Sequence, residues 1–353
     1  MITKINKYYA NAYSKGFFPR FKDIFLSKKP VVVYYGFLGD KNFGDEWVFE
    51  SAKYLFSECT VIPLNRYMPI RGLLLEFLFS SKIKGIVIGG GTLIGPLFWY
   101  RDKFLRLHSK GVPVFVHGTG VHRKESFDQS WVQLLSGNVY GGVRGVYSSK
   151  NILDQGNLKI NPIGDAAFCM YEESKSHNKN SNQVLVNLGT HAPYRGSENA
   201  RSVVSEFIEY LLLQGYRPVY FPFHEEDVKL GKELQVAFPK LEFLDIPSTY
   251  HEVAKIFRDS TFAIGERLHF IVMAGIVSLP FYGIMYASKH LDYLSSIALE
   301  ESGVLPEEVT IQDVKDKFLN RSKMNFALSN EKLRHFKNLQ KEEKLEFIKI
   351  SKK

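Results

Sequence analysis

The sequence predicts an α/β protein of two similar domains, each a parallel sheet with helices on both faces, opposed across a ligand cleft. Three observations carry this reading. Short β-branched or aromatic runs alternate with segments of helical period along the chain, the pattern left by consecutive βαβ units. The 353 residues exceed what one core usually takes, and 45% hydrophobic with 24% charged residues excludes a disordered, coiled-coil or collagen-like chain. Finally, the stretch Glu172–Gln183 holds no large apolar residue and separates two halves of like character.

The expected strands are Val31–Tyr35, Gly85–Ile88, Val114–His117, Gly142–Val146, Val184–Asn187, Pro218–Phe221, Glu242–Leu244, Thr261–Ile264 and Phe281–Met285. Between them the helical period predicts Glu46–Phe56, Asp102–Ser109, Ser130–Leu135, Ser149–Gln155, Ala200–Gln214, Val228–Ala237, His251–Asp259 and Arg267–Ile276. The first domain then covers 31–171, a linker 172–183 and the second domain 184–330. Residues 331–353, rich in Lys and Glu, read as a solvated surface helix.

Charge and cysteine content narrow the setting. Cys59 and Cys169 are the only cysteines, so neither a disulfide framework nor a Cys-based zinc site is expected, and a reducing compartment fits. The net charge of +9 favours anionic partners. Much of it lies in residues 1–30, where seven basic residues face the single acid Asp23 among seven interleaved aromatics. Two readings of this segment stay open: a peripheral contact with an anionic membrane, or a helix packing its aromatics on the protein itself. Leu268–Ala287 is apolar enough to imitate a membrane span. Gly275, Pro280 and Gly283 interrupt it, so a buried helix followed by a buried strand is expected.

Ligands of parallel sheets gather at the carboxyl ends of strands, and here those ends are rich in glycine and polar residues. The first strand runs into Gly36 and on to Gly44-Asp45-Glu46, the second into Gly89-Gly90-Gly91-Thr92, and the third into His117-Gly118-Thr119-Gly120. In the second half the corresponding ends carry Asn187, then His224 with Asp227, then Gly265-Glu266-Arg267-Leu268-His269. Glycines let backbone N–H groups approach an anion. The spacing of Gly36, Gly39 and Gly44 matches neither a dinucleotide fingerprint nor a Walker A loop. Asp45 reads equally as a helix cap or a ligand contact, and His117, His224 and Asp227 equally as ordinary loop or hydrogen-bonded core residues.

The segment around Arg267 and His269 is the sharpest local signal. Leu268, Ile271, Val272 and Gly275 form one helical stripe, and Arg267 and His269 flank it in the first turn. An arginine fork matches carboxylate or phosphate, and histidine moves protons near neutral pH. Together they read as an anion clamp beside a proton-transfer group.

In order and strand context the motifs resemble the polysaccharide pyruvyl transferase family from about Val31 to Lys289. The resemblance is carried by Tyr35-Gly36, Gly44-Asp45-Glu46, Gly89-Gly90-Gly91-Thr92, Val143-Arg144 and Gly164-Asp165, then by Pro222-Phe223-His224 with Asp227, Arg267-Leu268-His269, and Tyr286 with Lys289. It implies two Rossmann-like domains of the GT-B type. It also implies transfer of pyruvate from phosphoenolpyruvate to two hydroxyls of one sugar, giving a cyclic ketal on an exopolysaccharide, a capsule or a lipid-linked precursor. By the resemblance Arg267 and His269 hold the donor and serve as acid/base, and Arg144 is a second cation for the donor. Gly145 stands where the family tends to have an acid, and Ala166 where it often has proline.

The implied chemistry suits these residues. Gly36, Asp45, Gly90, Gly91, Thr92, His117, His224, Asp227, Glu266 and Lys289 complete the expected substrate-binding set. Protonation of the donor's methylene carbon calls for an acid such as His269, and His224 or His117 would take the hydroxyl protons. No redox change or metal is required, so no cofactor is expected beyond the donor substrate. No nucleic-acid partner is expected, and the expected location is the cytoplasm, with the membrane's inner face as a peripheral contact. Two other functions compete: a nucleotide-sugar glycosyltransferase with Glu266 on a ribose, and a non-catalytic glycan-binding protein.

Overall fold

The computed structural model describes residues 27–64, 82–95, 101–121, 127–172, 178, 180–189 and 196–351. Most of the basic aromatic segment, residues 1–26, and much of the expected linker lie outside the described residues. The chain forms two compact units. One takes the residues through Asp40, Val48–Met170 and the chain from His335 onward; the other takes Lys41–Trp47 and Tyr171–Arg334.

In the first unit β1 (Val31–Tyr35), β2 (Thr60–Leu64), β3 (Ile83–Ile88), β4 (Val114–Thr119) and β5 (Val139–Val143) form a parallel sheet in the order β2-β1-β3-β4-β5. β1 and β4 are buried throughout and β3 nearly so, as strands covered on both faces must be. The helices α1 (Phe43–Leu55), α2 (Arg101–Ser109) and α3 (Gln129–Leu134) connect β1 to β2, β3 to β4 and β4 to β5, and α4 (Val146–Gly156) follows β5. The strand expected at 142–146 ends earlier, because Gly145 is the N-cap of α4. β2 escaped the sequence reading: Pro63 argues against a strand, yet β2 is an edge strand, where a missing N–H is tolerated.

The second unit repeats the plan. β6 (Gln183–Asn187), β7 (Arg217–Tyr220), β8 (Glu242–Phe243), β9 (Phe262–Gly265), β10 (Phe281–Ile284) and β11 (Gly303–Val304) lie parallel in the order β11-β10-β9-β6-β7-β8. Around them pack α5 (Ser197–Leu213), α6 (Glu225–Ala237), α7 (Tyr250–Arg258), α8 (Leu268–Ile276), α9 (Ser288–Ser296) and α10 (Ile311–Leu319). The segment that imitates a membrane span resolves into α8, buried along its whole length, and the buried strand β10. Among the described residues no helix is long and apolar enough to cross a membrane.

The last helix, α11 (Ala327–Ser351), corrects the expectation of a solvated element. Leu333, Gln340, Phe347 and Ile348 are buried, and the Phe347 ring sits among Phe56, Phe115 and Tyr140. It packs so close to β3 that a Cβ on Gly85 would lie 2.3 Å from it. The Gln340 amide donates to the carbonyls of Ile163 and Asp165 at 3.0 and 2.9 Å. The dense Lys and Glu of this segment hide one buried stripe.

Each sheet reverses direction once. In the first, the chain adds β2 on one side of β1 and then β3, β4 and β5 on the other; in the second, β7 and β8 extend from one side of β6 and β9, β10 and β11 from the other. Connections diverge at the β1/β3 and β6/β9 boundaries, and the crevice this leaves at the carboxyl ends is where such sheets bind ligands. Gly36 and Gly89–Thr92 follow β1 and β3; Leu188–Gly189 and Glu266–Arg267 follow β6 and β9.

Candidate active site

At the β6/β9 boundary Asn187 and Gly265 stand in register. The Asn187 side chain locks the turn that follows: Oδ1 accepts from the Arg267 N–H at 3.0 Å, and Nδ2 donates to the Phe221 carbonyl at 2.9 Å. Glu266 is buried and its Oε2 accepts from the Gly189 N–H at 2.6 Å, tying the two strand ends together. Arg267 occupies the N-cap position of α8, and His269 lies in its first turn.

Arg267 is buried, at 5% exposure, and its guanidinium is gripped by Asp227. Nε donates to Oδ1 at 2.9 Å and to Oδ2 at 3.1 Å, and Nη2 donates to Oδ1. Burial works against the charge, but the adjacent Asp227 carboxylate outweighs it and holds the guanidinium pKa above its ordinary value. The same carboxylate accepts from the Phe223 and His224 N–H groups at 3.2 and 3.1 Å, so Asp227 also closes the capping box at the start of α6. His224 is the N-cap, its Nδ1 accepting from the Glu226 N–H at 3.0 Å. Asp227 is wholly buried, so its place here is behind Arg267 rather than at an open surface.

His269, at 8% exposure, packs edge-on against Trp47, which also stacks with Tyr250 and Phe43. Gly44 lies so near that a Cβ there would come within 2.2 Å of His269 Nδ1. The Gly44-Asp45-Glu46 turn of α1 belongs to this unit, held by the Phe43 N–H donating to the Phe223 carbonyl at 2.8 Å. Lys289 Nζ donates to the Tyr286 hydroxyl at 2.8 Å, and Tyr286 in turn lies in the electrostatic surroundings of Arg267. Asp45, His224, Asp227, Glu266, Arg267, His269 and Lys289 therefore belong to one unit.

The other expected residues lie in the first unit. Gly36 closes β1, and Gly90, Gly91 and Thr92 follow β3, Gly91 with a φ of 89° that suits glycine. Arg144 is fully buried after β5. Its Nε donates to Asp165 Oδ2 at 3.0 Å and its Nη2 to the Gly91 carbonyl, while Nη1 has no hydrogen-bond partner among the described residues. Nη1 is directed at the Gly120 backbone, where a Cβ would meet it at 2.9 Å.

His117 is fully buried beside Phe56 and Phe115. Burial pushes its pKa down to about 4, against the pull of Asp165 and Gln340. It is neutral when folded and, once unfolded, takes a proton below about 6.5. Stability is therefore complete above pH 6.5 and is lost as pH falls toward 4. Between pH 7 and 5 this group alone should remove about 2 kcal/mol of unfolding free energy. Urea titrations across that range should show the loss in the native protein and a flatter curve in His117→Leu; equal slopes would assign the loss to other groups.

The sequence of this chain matches the model of the polysaccharide pyruvyl transferase family over residues 42–288. The chain belongs to that family. The match takes in the Gly44-Asp45-Glu46 turn, Arg144, the Asp227 cap and the Arg267-Leu268-His269 turn. No curated protein matches the chain in sequence. Among solved structures it is similar to UDP-GlcNAc 2-epimerase from Neisseria meningitidis bound to UDP-GlcNAc, with 11% identity, 86% of this chain and 97% of that one covered, and a TM-score of 0.56. It is also similar to UDP-GlcNAc 2-epimerase from Methanocaldococcus jannaschii, with 12% identity, 84% and 92% covered, and a TM-score of 0.52. These likenesses concern the fold, two parallel-sheet α/β domains of the GT-B type. Pyruvyl transferase membership makes the chain a transferase of polysaccharide biosynthesis.

Three residues of this pyruvyl transferase-family chain that the sequence reading did not place in the site support it. Asn187 orients Arg267, and Asp165 holds Arg144. His290, wholly buried, has Nε2 2.7 Å from the Glu266 carbonyl. Only Asn187 and Asp165 had a local signal, a polar residue directly after an apolar strand or a glycine.

Proposed function

We propose that the protein transfers pyruvate from phosphoenolpyruvate to two hydroxyls of one sugar in a cell-surface polysaccharide or its lipid-linked precursor. Family membership supports the reaction class. The observation that carries the reading is Arg267 and His269 in one turn at the β6/β9 boundary, a guanidinium held in a fixed direction beside an imidazole. Paired with Asp227, Arg267 acts as an oriented donor more than as a net charge. Lys289 and the N-terminus of α8 add positive potential for the donor's phosphate and carboxylate, and Arg144 is the cation proposed from the first domain.

The steps balance without another reagent. His269, protonated, delivers its proton to the methylene carbon of phosphoenolpyruvate, and the neighbouring carbon becomes an oxocarbenium-like centre. One sugar hydroxyl adds there and passes its proton to a base, for which His224 is the candidate in the second domain. The carbon–oxygen bond to phosphate breaks, phosphate leaves with the proton taken up by the base, and the second hydroxyl closes the ketal, its proton returning to His269. The donor supplies the transferred group, so the reading invokes no separate cofactor. We place the enzyme in the cytoplasm, with residues 1–30 as a peripheral contact with the inner face of a membrane.

A donor comparison tests this. Phosphoenolpyruvate should raise the thermal midpoint, and phosphate release should depend on a glycan acceptor that gains a pyruvate-sized mass. Stabilisation by UDP-, GDP- or CMP-sugars and not by phosphoenolpyruvate would replace the reading with a glycosyltransferase.

A further inference from the structure

Trp47 is 1% exposed, and its indole Nε1 finds no hydrogen-bond acceptor among the described residues. Trp131, equally buried, shows the ordinary arrangement, its Nε1 donating to the Gly95 carbonyl at 3.0 Å. A buried donor left without an acceptor lowers the folding equilibrium constant by roughly 5- to 150-fold, and phenylalanine would fill much of the same space without that cost. An N–H···π contact with a neighbouring ring returns only a small part of it. The place of Trp47 in the fold supplies a reason for keeping the N–H. Gly44 and Trp47 lie three residues apart on α1 and so share a helix face, and both abut His269. A Cβ on Gly44 would lie 2.2 Å from Nδ1, and the indole and imidazole centroids are 5.9 Å apart at an interplanar angle of 64°. Phe43 and Tyr250 lie at 24° and 30° to the indole plane, with centroids 6.1 and 5.5 Å away, and hold it in one orientation. Phe43, Gly44, Trp47, Tyr250 and His269 all belong to one unit.

We propose that Trp47 is a further ligand-binding residue of the candidate active site, its indole N–H donating to an anionic oxygen of the molecule that Arg267 and His269 hold. The identity of that oxygen, a phosphate or carboxylate oxygen of phosphoenolpyruvate, rests on the donor reading above. An anionic acceptor makes such a bond roughly twice as strong as a neutral one. The N–H gains its partner only when the ligand is bound, so the cost carried by the empty site is returned as affinity. Tryptophan suits the place because its donor is uncharged and does not titrate. It adds a fixed direction beside the imidazole without competing for the proton that His269 delivers. With Phe43 and Tyr250 against it, the indole is set before the ligand arrives.

Indole N–H resonances of the full chain test this. The sequence has three tryptophans, and Trp47→Phe assigns one resonance by its absence. Phosphoenolpyruvate should move the Trp47 resonance of the native protein downfield, as a new bond to an anionic oxygen does, and leave that of Trp131, already bonded to Gly95, in place. Trp47→Phe keeps a ring against Phe43 and Tyr250. Its thermal midpoint should stay near native, because the lost packing and the removal of an unpaired donor offset each other. Its KM for phosphoenolpyruvate should rise roughly 10- to 100-fold, with kcat changing much less. A purely structural tryptophan would do the reverse, lowering the midpoint and leaving KM alone. Should that variant fold poorly, benzothienylalanine at position 47 keeps the shape of the ring and lacks only the N–H. Inorganic phosphate and pyruvate, added singly, separate the two acceptor groups. A Trp47 resonance unmoved by all three ligands, or a native KM in the folded variant, would overturn the proposal. If phosphoenolpyruvate raises the native thermal midpoint while that resonance stays still, the donor reading survives alone. If phosphate or pyruvate moves it in a protein that releases no phosphate from phosphoenolpyruvate, Trp47 keeps its role and the donor reading falls.

Discussion

His269→Asn should lose roughly 10²- to 10⁴-fold in kcat for acceptor-dependent phosphate release, the range a positioned general acid contributes. The substitution keeps a small polar side chain at the start of a buried helix, and Gly44, which lies against this ring, gains room rather than losing it. The thermal midpoint should therefore stay near that of the native protein, and KM for phosphoenolpyruvate should change much less than kcat, because an acid acts in the transition state more than in donor binding. Steady-state kinetics with phosphoenolpyruvate and a glycan acceptor separates the two parameters. Native kcat in a folded variant removes His269 from the chemistry.

How much of this was legible beforehand differs from residue to residue. Arg267 and His269 could be placed because everything that positions them is local: an apolar strand, a glycine and a helical stripe. The Arg267–Asp227 pair could not, since 40 residues separate its members and Asp227 already had a sufficient local reason to be where it is, as the cap of α6. One carboxylate does both jobs, and periodicity reports only the nearer. Gly44 against His269 is the same case over a longer span, a close approach that no spacing rule encodes. In the fold, β2 was hidden by Pro63, whose penalty vanishes at a sheet edge. The buried face of α11 was masked by the lysines and glutamates on its other faces. Strand and helix identity came from local pattern; register, pairing and the second use of a residue came from the tertiary arrangement.

Asp227→Asn should be damaging in two distinguishable ways. Asparagine keeps an acceptor oxygen for the cap but removes the charge opposite a guanidinium that is 5% exposed. Removing one member of a buried ion pair costs about 3–5 kcal/mol, because the remaining charge is left without compensation. Phosphate release should fall with it, since Arg267 loses the carboxylate that aims it. Stability loss alone would not assign a role in positioning, so the informative partner is the double variant Asp227→Leu/Arg267→Met. It removes both charges and should regain much of the lost stability, as apolar replacement of a buried pair often does, while activity stays absent. Urea unfolding and phosphate release measured on both singles and the double give the coupling directly. If Asp227→Asn retains native stability and native turnover, Asp227 does not hold Arg267 in the working enzyme. If the double variant regains activity along with stability, Arg267 is structural and the donor is bound elsewhere.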